Sequence, residues 1–130
     1  MKYLSLFILC CLFVLNGCGG KSTQIKGGTP GSLIAGEVLV PDFEIEVFAA
    51  DTLVSLGLGA TGQDGKFQLM KSKGESPLWL APGQYVITLK SVGPAHPRIL
   101  PAYANPAKTP LKVKWNAEDK SLDLKIPAFK

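Results

Sequence analysis

Apolar and polar side chains alternate with a period of two through most of the chain beyond residue 32. From Phe43 to Phe48 the alternation is clean, with Phe43, Ile45 and Val47 on one side and Glu44 and Glu46 on the other. That is the pattern of a strand with one buried face. It returns at 66–70 (Phe67 and Leu69 against Lys66 and Gln68) and at 85–89 (Tyr85, Ile87 and Leu89). It returns again at 111–115 (Leu111, Val113 and Trp115 against Lys112 and Lys114) and at 122–126 (Leu122, Leu124 and Ile126 against Asp123 and Lys125). Residues 33–40 read as one more strand, with Ile34, Gly36, Val38 and Val40 inward, Glu37 outward and Pro41-Asp42 ending it. Residues 52–61 read as a twisted or edge strand, because Gly57 and Gly59 would each weaken a helix by about 1 kcal/mol. Asp64-Gly65 is a hairpin signal, since glycine accepts positive φ without steric cost. Residues 71–77 form a polar loop. Pro82-Gly83 marks another turn, and 116–120 a last one. Five prolines between Gly93 and Pro110 exclude a helix or a central strand over most of that stretch. Seven short strands, closely spaced turns and no helix predict an all-β sandwich around one core.

The first residues follow a different pattern. Lys2 precedes a nearly unbroken apolar run from Tyr3 to Leu15, and small or polar residues then lead to Cys18. This is the layout of an export signal. The run is shorter than the roughly 20 residues needed to span a bilayer. Leu15-Asn16-Gly17-Cys18 resembles the bacterial lipobox. The resemblance implies removal of residues 1–17, a diacylglycerol thioether on the Cys18 sulfur, and often a further acyl chain such as palmitate on the new amine. The alternative is a plain secretory signal that leaves Cys18 as a free thiol. Gly19 stands where an aspartate can act as an inner-membrane retention signal in some bacteria, so its presence leans toward the outer membrane. Residues 18–32, rich in glycine and poor in apolar groups, read as a flexible tether that holds a domain at 33–130 roughly 20 Å from the lipid.

Composition changes the picture only modestly. The chain has 130 residues, a formal charge of +4 and three cysteines, of which Cys10 and Cys11 leave with the leader. The mature chain is therefore expected to hold no disulfide. Mean hydropathy is +0.20, inflated by the leader. Lysines interleave with carboxylates, which fits a solvated surface better than a patch for anionic polymers. An exported chain is not expected to meet nucleic acid.

Thr61-Gly62-Gln63-Asp64-Gly65-Lys66-Phe67 and Leu80-Ala81-Pro82-Gly83-Gln84-Tyr85-Val86-Ile87 resemble signatures of the carboxypeptidase-regulatory-like, transthyretin-like domains. Gly36-Glu37-Val38 and Ile45-Glu46-Val47 fit the opening and second strands of that group. The chain is similar to small bacterial lipoproteins with one such domain, in which a segment like Pro101–Pro106 leads into a final hairpin, here Leu111–Ile126. The resemblance implies a seven-stranded, prealbumin-like Greek-key sandwich used as a structural, stabilising or adhesive module. One branch of that fold hydrolyses a purine-derived substrate with several histidines, an arginine and a Tyr-Arg-Gly-Ser tail. This chain has one histidine, His96, and ends Pro127-Ala128-Phe129-Lys130, so that activity is not expected.

Candidate chemistry is sparse. No base, nucleophile and orienting carboxylate stand together by spacing. One histidine and no free cysteine do not make a zinc site, and Asp64-Gly65 without further spaced acids does not make a calcium cage. No catalytic residue, metal or cofactor is expected, and His96 reads as an exposed loop residue. Trp79 and Tyr103 lie in or beside loops, where they either pin those loops to the sandwich or offer a stacking surface for a sugar. The expectation is a lipid-anchored, non-catalytic envelope lipoprotein that acts as a protein-interaction or structural module. The alternative is a carbohydrate-binding module. The expected partners are the membrane, through the lipid, and an envelope protein or glycan.

Overall fold

A computed structural model describes residues 27–72, 76–92 and 101–129. Among the described residues the chain forms nine strands: β1 (Pro30–Ala35), β2 (Val38–Leu39), β3 (Phe43–Ala49), β4 (Ser55–Ala60), β5 (Lys66–Gln68), β6 (Met70–Lys71), β7 (Gly83–Ser91), β8 (Lys112–Trp115) and β9 (Leu122–Ile126). A single 3-10 turn, Pro101–Ala104, packs against β7. The strands make two sheets. In the first, β1 pairs antiparallel with β2 and β5 and parallel with β9; the second has the order β6-β4-β3-β7-β8. The fold is all-β with two sheets, as expected for a sandwich.

The alternating residues supply the core. Phe43, Ile45 and Val47 of β3, Ile87 and Leu89 of β7, and Leu33 and Leu69 are fully buried, joined by Phe67, Tyr85, Trp115, Leu122, Leu124 and Ile126. Each such side chain contributes about 1.5–3 kcal/mol through removal from water. Glycines complete the interior of β4: Gly57 and Gly59 are the buried positions there, while Leu56 and Leu58 are half-buried. A methyl group on Gly57 would collide with the Met70 carbonyl.

Tyr85, the third residue of β7, turns its hydroxyl back to donate to the Ala81 carbonyl at 2.5 Å. This ties the Pro82-Gly83 bend to the strand that follows, as a tyrosine corner does in other sandwiches. Thr109 plays a comparable part at the far edge of β7. Its buried Oγ1 donates to the Ile87 carbonyl at 2.7 Å and accepts from the Leu111 N–H at 3.2 Å. The described part of the proline-rich stretch is thereby fastened to the sheet without a strand of its own.

Four expectations need correction. Residues 33–40 are not one strand, because β1 ends at Ala35 and a two-residue turn at Gly36-Glu37 folds the chain back into β2. Gly36 has φ +63°, which suits the first position of a type II′ turn. Of the residues expected inward only Val40 is buried; Leu33 and Ala35 are the inward residues of β1, and Val38 is exposed. Asp64-Gly65 makes the expected turn, with Gly65 at φ +72° and the Lys66 N–H bonded to Asp64 Oδ1. It does not close a ladder, however, since β4 lies in one sheet and β5 in the other. The final pair is likewise not a hairpin, as β8 pairs with β7 and β9 with β1. The tether expected at 18–32 does not extend over residues 27–32, which are built into the body, with Pro30–Ala35 a strand between two partners; residues 18–26 lie outside the described residues.

Candidate functional site

Strand polarity defines two ends of the body. β1 starts at Pro30, which pairs with Gln68 at the finish of β5, and its neighbour Gly31 pairs with Leu122 at the start of β9. In the second sheet the same end holds Ala49 opposite Tyr85, and Gly83 opposite Trp115. The link from Trp115 to Leu122 and the single residue between β5 and β6 join the two sets. The chain thus enters the body at one end, together with the β3–β4 turn, the loop before β7 and the β8–β9 turn.

Thr29 organises that end. It is 2% exposed. Its N–H donates to the Leu78 carbonyl at 2.8 Å, its carbonyl accepts from the Leu69 N–H at 3.0 Å, and its Oγ1 accepts from the Leu80 N–H at 2.8 Å. Leu78 also donates its N–H to the Leu69 carbonyl at 3.0 Å. Leu78 and Leu80 are half-buried against the core. With its neighbours held on both sides, Trp79 is turned outward and is 64% exposed. Gly27 lies beneath the indole, since a Cβ there would sit 3.4 Å from the Trp79 ring. The entering chain and the tryptophan are therefore one unit. Sequence reasoning missed Thr29, which looked like tether, because its partners are 40 to 51 residues away and leave no local pattern.

Two more exposed apolar residues lie at this end. Leu53 is 38% exposed and Val54 57%. Leu53 has φ +54°, a left-handed conformation that costs a non-glycine residue about 1–2 kcal/mol. The turn is held by the Leu53 N–H to the Ala49 carbonyl (2.9 Å), the Ala49 N–H to the Val54 carbonyl (3.0 Å) and the Ala50 N–H to the Gln84 carbonyl (3.2 Å). A shallow hollow beside it is lined by Ala50, Asp51, Gln84 and Tyr85 and runs toward Lys112 and Lys114.

Tyr103 is not beside Trp79 in any aromatic pair. It is half-buried and packs on the core from the 3-10 turn, so it pins that segment. Phe43 and Phe129 form the one stacked aromatic pair among the described residues, with centroids 6.2 Å apart. Cys18 and His96 lie outside the described residues. Among the described residues no group of three or more His, Cys, Asp or Glu could hold a metal ion, and no helix is long and apolar enough to cross a membrane. Every buried side-chain nitrogen or oxygen among them has a hydrogen-bond partner, so no polar group is held unpaired toward a ligand. Comparison with family models, with curated proteins and with solved structures finds no match to this chain.

Proposed function

We propose that the protein is a lipid-anchored, non-catalytic β-sandwich of the bacterial cell envelope that serves as a structural or protein-interaction module. The observation that carries this reading is Leu15-Asn16-Gly17-Cys18 at the end of an apolar leader, only nine residues before Gly27 joins the body. Two or three acyl chains on one cysteine hold a protein at a membrane far more firmly than the marginal binding of a single chain, since each buried methylene contributes about 0.8 kcal/mol. The finer fold assignment belongs to the same proposal. With the two-residue strands β2 and β6 set aside as edge additions, seven strands remain, β5-β1-β9 facing β4-β3-β7-β8. That set suits a prealbumin-like sandwich.

The test is the intact mass of the protein taken from the membrane fraction. A mature chain beginning at Cys18 with lipid mass supports the reading, and a chain retaining residues 1–17 or an unmodified Cys18 overturns it. Pull-down of crosslinked envelope components then separates a protein partner from a purely structural role. A glycan reading rests mainly on Trp79, because Tyr103 is half-buried against the core. It would need glycan binding that is lost in a folded Trp79→Ala variant.

A further inference from the structure

We propose that the end of the sandwich carrying Trp79, Leu53 and Val54 rests on the bilayer that holds the Cys18 lipid, with the Trp79 indole in the headgroup layer. The inference depends on the lipid anchor proposed above and adds an orientation to it. Three observations carry it.

The first is reach. Gly27 is nine positions beyond Cys18, and even fully extended that length of chain spans only about 30 Å. A coil of that length averages about 17 Å. The end of the body where the chain enters is therefore never far from the membrane surface.

The second is how Trp79 is displayed. Thr29 fixes the backbone on both sides of it, and Gly27 underlies its ring. An indole with an apolar body and one N–H donor suits the boundary between hydrocarbon and headgroups. The chain that leads to the lipid is the same chain that positions the tryptophan.

The third is Leu53. Glycine or asparagine would occupy a left-handed turn position with less strain. A leucine there places an apolar group outward at a cost to folding, and strain retained in this way points to use of the displayed side chain. Val54 extends the apolar surface. Nearby charges have both signs, with Lys71, Lys114 and Lys120 against Asp51, Glu118 and Asp119. The contact is accordingly apolar and interfacial and does not depend on anionic lipid.

The test uses the mature lipidated chain, its Cys18 modification verified by intact mass, reconstituted in phosphatidylcholine vesicles. Trp115 is buried in the core, so subtracting the emission of a Trp79→Phe variant isolates the Trp79 signal. The expected result is a blue-shifted Trp79 emission that is quenched by lipids nitroxide-labelled near the headgroup and unaffected by added salt. A Leu53→Gly variant, which relieves strain and stays folded, should show weaker quenching. Trp79 emission that is water-like and unquenched on a chain of verified lipid mass overturns the docking and leaves the anchor standing. An unmodified Cys18 overturns both.

Discussion

Single side chains hold the loops of this protein, and their removal has calculable effects. Tyr85→Phe deletes the bond to the Ala81 carbonyl while keeping the ring in the core. Ala81 is exposed, so water replaces the lost donor, and the expected cost is about 0.5–1.5 kcal/mol in urea denaturation. Thr109→Val is harsher despite its matching shape. It removes a donor from the Ile87 carbonyl and an acceptor from the Leu111 N–H in a buried place, and should cost about 1–3 kcal/mol by the same measurement. Leu53→Gly should act in the opposite direction. Relief of left-handed strain is partly cancelled by the extra backbone freedom of glycine in the unfolded chain, and stability should rise by at most about 1 kcal/mol. A fall in stability would show that the Leu53 side chain packs on the body more than its exposure indicates.

At the level of strands, alternation was a good guide to which side chains go inside. Phe43, Ile45 and Val47, then Phe67 and Leu69, then Tyr85, Ile87 and Leu89, then Leu122, Leu124 and Ile126 are all buried as their spacing implies. Pairing was far less legible. Asp64-Gly65 and the turn at 116–120 look like hairpin turns because the same backbone geometry serves a crossing from one sheet to the other, and only the distant partner of each strand decides which it is. The phase of β1 was misread because Gly36 looks like a strand residue unless its positive φ is known. The inward glycines of β4 were invisible for a related reason: a core position filled by a neighbouring backbone carries no apolar side chain to reveal it. Edge strands complete the picture at this scale. β8 ends its sheet, and Lys112 and Lys114 are exposed along it, which discourages pairing with a second molecule. The double change Lys112→Val and Lys114→Val should leave the fold intact and promote self-association, read as a concentration-dependent rise in light scattering.

For the molecule as a whole, the candidate site was only half legible. The resemblance of Leu15-Asn16-Gly17-Cys18 to a lipobox is local and can be read directly. The display of Trp79 depends on Thr29, and that contact spans the sequence from one end of the body to its middle. Under the proposed lipid anchor, Cys18→Ala should move the protein from the membrane fraction to the soluble one without changing its thermal unfolding, since the described residues from Gly27 onward build the body among themselves. The position of β1 has one more consequence. It lies between β5 on one side and β9 on the other, and β9 runs parallel to it, with Gly31 beside Leu122 and Ala35 beside Ile126. A pull delivered through the leading chain against a load on the trailing end of β9 would therefore drag the two strands lengthwise past each other, straining all their cross-links at once instead of unzipping them singly. Stretched in that direction, the protein should yield at a markedly higher force than when pulled apart through β8 and β6, a contrast that single-molecule force spectroscopy can measure.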